Sequence, residues 1–179
     1  MTEYQNQKAT KPKVEDIAMK SLDGDKLKNL LDLLEFLKAN KLTPRWRVTN
    51  AWAVNYKGKM VCDISINSDE GSWLFRPNHL FHKAALFREK WFTEYNQYIT
   101  DNELQTFVWE HLHNSIIKCK GNTCEGIRNK TILGKEFARV CFCWPIRVEN
   151  PEGITLESSK KLILVIKTII ADLAAANKA

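Results

Sequence analysis

Leu27, Leu30, Leu31, Leu34 and Leu37 recur at spacings of three and four within "DGDKLKNLLDLLEFLKANK" (23–41). That is one apolar stripe of an amphipathic helix, with charges on the remaining face. Asp23 or Asp25 suits its start, and Asn40 with the later Pro44 marks its end. Past Pro44 the period falls to two. Trp46, Val48, Trp52, Val54 and Tyr56 alternate onto one face, with Asn50 as its polar member. "KGK" turns the chain, and Met60, Cys62, Ile64 and Ile66 alternate on the way back. "NSDEGS" turns it again before the short run 73–76. This pattern predicts an antiparallel meander of three strands.

Farther on, Leu80, Ala84, Phe87, Trp91, Tyr95 and Tyr98 approximate helical spacing, as one helix or two pieces. Thr100 and Glu103 have the spacing of a capping box ahead of the face Leu104, Phe107, Val108, His111 and Leu112, which should end near Asn114. Strands are expected at 127–131 and 140–147, with "LGKEFAR" between or partly within them. The final segment, 149–178, reads as a long helix burying Leu162, Ile166, Ile169, Ile170 and Leu173. Asn150 and Pro151 suit its cap and first position, although Gly153 can delay the start to about Thr155. The fold class expected is α+β: an antiparallel sheet, made of the three-stranded meander plus a C-terminal hairpin, packed by N- and C-terminal helices. Residues 1–13 read as a polar, disordered tail and residues 14–179 as a single domain.

Composition changes this picture little. Of 179 residues, 44% are apolar and 27% charged, with only 7 glycines and 5 prolines, the profile of a folded chain. The longest apolar run, 162–166, is far shorter than a bilayer requires, so no membrane span is expected. The first sixteen residues hold no apolar stretch of the kind a secretory signal needs. An odd set of five cysteines then points to a reducing compartment, the cytoplasm.

Charge is more informative because it is uneven. Six basic residues (Lys118, Lys120, Arg128, Lys130, Lys135, Arg139) stand against Glu125 and Glu136 in 118–139, which places +4 of the overall +6 in that segment. Such a patch attracts anions, nucleic acid among them, or is simply a solvated face. The same stretch adjoins four of the five cysteines. Cys119 and Cys124 flank a turn-like "KGNT", while Cys141 and Cys143 share one strand face, so a hairpin could assemble a four-thiolate zinc site. The plainer alternative makes Cys141 and Cys143 small core hydrophobes and leaves Cys119 and Cys124 as loop thiols, redox-active or inert. Cys62 is expected to be inert within its strand.

Other chemistry is sparse. His111 reads as a satisfied core histidine. His113, two residues away, cannot easily share an ion with it, and His79 with His82 lacks a nearby carboxylate. No nucleophile elbow, P-loop, dinucleotide fingerprint or zinc-protease motif occurs, so no catalytic residue is assigned. The aromatic strand face offers a second site: Trp46, Trp52 and Tyr56, with Trp73 and Phe75 nearby and Arg45, Arg47 and Arg76 at its edges. Aromatics beside arginines can hold a flat small molecule or single-stranded nucleic acid. The plainer reading makes them core beneath the first and last helices, whose apolar stripes must be buried somewhere.

"LTPRW" (42–46), "YKGK" (56–59), "GSWLFRP" (71–77), paired cysteines ahead of "GKEFARVC" (134–141) and "NP" (150–151) together resemble an uncharacterised family of small cytoplasmic proteins of low-GC Gram-positive bacteria. The resemblance spans roughly residues 27–173, a span of domain size. It implies a compact cytoplasmic α+β domain with a cysteine cluster of variable spacing, and supplies no activity to carry over. Composition and the missing catalytic motifs lead to the expectation of a non-enzymatic module binding a small ligand or a protein through Trp46, Trp52, Trp73, Arg45 and Arg76. The alternatives are a zinc-stabilised nucleic-acid-binding protein holding its metal on Cys119, Cys124, Cys141 and Cys143, and a thiol-based redox protein.

Overall fold

The computed structural model describes residues 2–77, 95–112, 128–140 and 146–176. Its contacts gather into two compact units, 1–78 with 148–179, and 79–147. The first unit opens with three helices, α1 (Glu3–Thr10), α2 (Val14–Ser21) and α3 (Gly24–Ala39). Strands β1 (Pro44–Val48), β2 (Ala51–Tyr56), β3 (Lys59–Asn67) and β4 (Ser72–Pro77) follow. The α+β class holds, with helices from both ends of the chain packed on an antiparallel sheet.

The leucine stripe forms α3 as expected, with Leu30, Leu33, Leu34 and Leu37 buried. The meander has four strands, not three, because the single run read from Trp46 to Tyr56 is broken. Asn50 lies in the left-handed region, at φ 53°, and turns the chain between Val48 and Ala51. Asparagine tolerates that conformation, so the turn forms without a glycine. At the next reversal Lys57 and Gly58 both have positive φ, the geometry of a tight two-residue hairpin turn.

The sheet order is β1-β2-β3-β4-β7, where β7 (Val148–Glu149) pairs with β4. Trp46, Trp52, Ile64, Phe75 and Val148 stand directly opposite one another along this sheet and so share one face. Trp52, Ile64, Phe75 and Val148 are at most 1% exposed. The last helix, α5 (Gly153–Ala176), packs on β3 and β4, as α2 does on β3 and α3 on β4. Leu162, Ile166, Ile169 and Ile170 of α5 are buried, whereas Leu173 is 39% exposed. Lys167 of α5 donates to the Asn40 carbonyl at 2.9 Å, closing the end of α3.

The N-terminal segment is not a tail over its whole length: Glu3–Thr10 form α1. Its only buried side chain is Gln7. Gln7 Nε2 donates to Glu3 Oε1 (2.9 Å) and Asn50 Oδ1 (2.6 Å), while its Oε1 accepts from the Asn50 amide (2.9 Å) and Trp46 Nε1 (3.2 Å). Both amide donors and the carbonyl are thereby satisfied, as burial requires. An eight-residue helix is marginal in water without such docking. Gln7→Ala is expected to cost about 1–3 kcal/mol by stranding these partners. Amide exchange over residues 3–10 should rise to nearly unfolded rates while β3 stays protected. Retained protection of α1 would contradict this role.

The second unit holds α4 (Asn102–Glu110) and the hairpin β5 (Arg128–Ile132) and β6 (Lys135–Val140), a two-stranded sheet separate from the larger one. The cap of α4 is Asp101, whose side chain accepts from the Glu103 amide, rather than Thr100. Trp109 Nε1 donates to the Ile132 carbonyl at 2.8 Å, tying the helix to the hairpin. His111 is half-buried, its Nδ1 2.9 Å from the Phe107 carbonyl, a satisfied histidine. Among the described residues no helix is long and apolar enough to cross a membrane.

Candidate functional site

Strand parity divides the residues expected to form one pocket. Arg45 stands opposite Ala53, Ala53 opposite Asp63, and Asp63 opposite Arg76, a cross-strand row over β1 to β4. It lies one residue out of step with the row Trp46–Trp52–Ile64–Phe75, so the arginines and tryptophans occupy opposite faces.

Trp52 and Trp73 are core side chains, each 1% exposed. Trp52 Nε1 donates to the Pro12 carbonyl at 2.8 Å, and the Trp73 backbone exchanges hydrogen bonds with Asn150. Trp46 is half-buried beneath α1, its ring centroid 6.3 Å from that of Tyr4. The aromatic side of the expected pocket is thus packed against the protein itself.

The arginines make a different arrangement, around a residue that the sequence reading passed over. Asp63 sits on the central strand β3 and is 1% exposed. Its Oδ1 accepts from Arg76 Nε at 2.5 Å, and Arg76 Nη2 donates to Ser65 Oγ at 3.2 Å. Arg47 Nη1 lies 3.8 Å from Oδ2, within ion-pair reach but too far for a hydrogen bond. Arg47 occupies a bulge between Trp46 and Val48, and its side chain is 47% exposed. Arg45 is exposed at the edge of the same row. Ala51, Ala53 and Ser65 keep the floor between these groups low.

Burying a carboxylate is costly unless it is paired, which is what two guanidiniums from two strands achieve. With Arg45 in the same row, three arginines share this face with Asp63 and with the exposed Glu149, which stands opposite Leu74. A guanidinium oriented by a carboxylate presents its remaining N–H groups in fixed directions, the geometry that carboxylate and phosphate groups accept. The signal in the sequence was positional: Arg45, Asp63 and Arg76 each fall one place out of step with the apolar row of their strand, next to Trp46, Ile64 and Phe75.

A groove of about 570 Å³ opens between α2, α3 and the start of β1. Its floor, Val14, Leu34 and Leu42, is at most 7% exposed, and its rim mixes Lys13 and Lys38 with Glu15 and Glu35. An occupant would gain little apolar burial there and meet no field of one sign.

Cys62 is fully buried on the apolar face, and burial, helped by the neighbouring Asp63 charge, pushes its thiol far above the ordinary range. Alkylation with iodoacetamide at pH 8 should leave Cys62 unmodified in the folded protein and modify it only after denaturation, read by peptide mass mapping. Modification at the rate of a free thiol would show that the strand opens. The expected zinc ligands Cys119, Cys124, Cys141 and Cys143, and His79, His82 and His113, lie outside the described residues. Among the described residues no cluster of three or more histidine, cysteine or acidic side chains could hold a metal ion.

No protein-family model matches the chain, and no curated protein or solved structure matches it.

Proposed function

We propose that this protein is a non-enzymatic binding module that takes a small anionic ligand on the arginine face of its sheet. The observation that supports this most directly is the placing of Arg47 and Arg76 beside the buried carboxylate of Asp63, with Arg45 in the same cross-strand row at the sheet edge. In the proposed role Arg47 and Arg45 meet the ligand's anionic group, while Asp63 fixes the direction of Arg76 and draws Arg47 inward. The tryptophans support the site from behind, as the packed layer that holds β1 to β4 in register. The five cysteines favour a reducing, cytoplasmic setting for it.

The test is calorimetric titration of the full chain with a panel of small carboxylates, phosphate and sulfate at low ionic strength. Saturable binding is expected, weakening as salt rises because exposed guanidiniums are screened. Arg45→Ala combined with Arg47→Ala should abolish it; because Asp63 keeps Arg76 as its hydrogen-bonded partner, the protein should still unfold cooperatively, at somewhat lower stability. No saturable binding by any member, or binding unchanged in the double variant, would overturn the reading.

A further inference from the structure

The arginine face carries a second feature, and it bears on which anions the site accepts. Asp63 Oδ2 is buried and accepts no hydrogen bond from the described residues, although Oδ1 is engaged by Arg76. Arg47 Nη1 is 3.8 Å from it, beyond hydrogen-bond reach. An ionised carboxylate has room for about four hydrogen bonds, and an oxygen left without one in the interior is a standing free-energy cost. Arg47 is half exposed and stands on a bulge of an edge strand, so its side chain can move without disturbing the ladder. A ligand that reached Oδ2 would meet a negative acceptor and a positive donor side by side.

We infer that the ligand is an anion carrying its own O–H or N–H donor next to the charged group, so that the anion binds Arg47 and Arg45 while the donor binds Asp63 Oδ2. This rests on the arginine face being the binding site. An anion with no hydrogen to give would bring negative charge up to the Asp63 carboxylate and find only repulsion there. One with a donor converts that repulsion into a charge-assisted hydrogen bond. Selection of this kind is strong because the failed ligand leaves a buried polar group unpaired. Hydroxy and amino acids have this chemistry, and so does phosphate, which keeps a P–OH near neutral pH where sulfate has none.

Matched pairs decide it. The full chain is titrated with lactate against propionate, malate against succinate, and phosphate against sulfate, in a buffer free of hydroxy acids. The donor-bearing member of at least one pair should bind about tenfold or more tightly than its partner. Which pair shows the preference separates a hydroxy-acid ligand from a phosphate one. Asp63→Asn replaces the acceptor with a group that can turn its amide N–H outward, so the preference should collapse or invert. If that variant does not fold, the wild-type pairs still decide. Equal affinity within every pair overturns the donor inference while leaving the anion site standing. Absence of binding in every pair removes both.

Discussion

Replacing Trp52 by alanine is expected to destabilise the protein by about 3–5 kcal/mol, the range for truncating a large buried aromatic. Trp52 is 1% exposed and stands between Trp46 and Ile64 in the apolar row of the sheet. Its Nε1 also holds the Pro12 carbonyl at 2.8 Å, so the side chain joins β2 to the segment connecting α1 and α2. Two losses combine in the alanine variant: a cavity in close-packed interior, and a carbonyl deprived of its donor. Phenylalanine at this position separates them. It keeps most of the volume but not the N–H, and should cost about 1–3 kcal/mol. Equilibrium urea unfolding of both variants gives the comparison. A loss below about 1 kcal/mol in the alanine variant would mean that the row does not pack as described.

Asp63→Ala should cost about 3 kcal/mol, and more than the double change Asp63→Leu with Arg76→Met. Removing one member of a buried ion pair leaves the other desolvated without its charge, typically costing about 3–5 kcal/mol, whereas apolar replacement of both is often neutral. The low end applies here because the Arg76 side chain is 17% exposed and has another partner besides Asp63 and Ser65. The inequality is the informative part. A double variant as unstable as the alanine variant would show that the carboxylate contributes through shape or backbone contacts rather than as a counter-charge. Stability and binding are also expected to part company. The double variant should fold and lose anion affinity, since the arginine face is then without its ordering carboxylate. That would place Asp63 in the binding site as well as in the fold.

The expected pocket joined Trp46, Trp52 and Trp73 to Arg45 and Arg76, and the structure separates the two groups by one step of strand parity. Residue types alone suggested stacking beside arginine. The pleat sends Trp46 and Arg45 to opposite sides whatever their chemistry. Asp63 was illegible for a related reason. A lone aspartate among the apolar residues of β3 resembles an outward-facing polar residue. Only the register that sets it opposite Arg76 and beside the Arg47 bulge makes its burial tolerable. α1 was missed because it has no apolar stripe; a single glutamine holds it, through partners some forty residues away.

The sequence by itself determined the elements whose stability is local or periodic. These are the leucine stripe of α3, the alternation along β2 and β3, the Lys57–Gly58 reversal, the long closing helix, and with them the α+β class. Each follows from burying one face of a repeating backbone, which composition at fixed spacing is enough to specify. Tertiary structure alone decided the turn at Asn50, the docking of α1, and the pairing of Arg47 and Arg76 with Asp63. Those features depend on pairings between distant strands, because a buried charge or amide is stable only where a partner from elsewhere in the chain arrives to satisfy it.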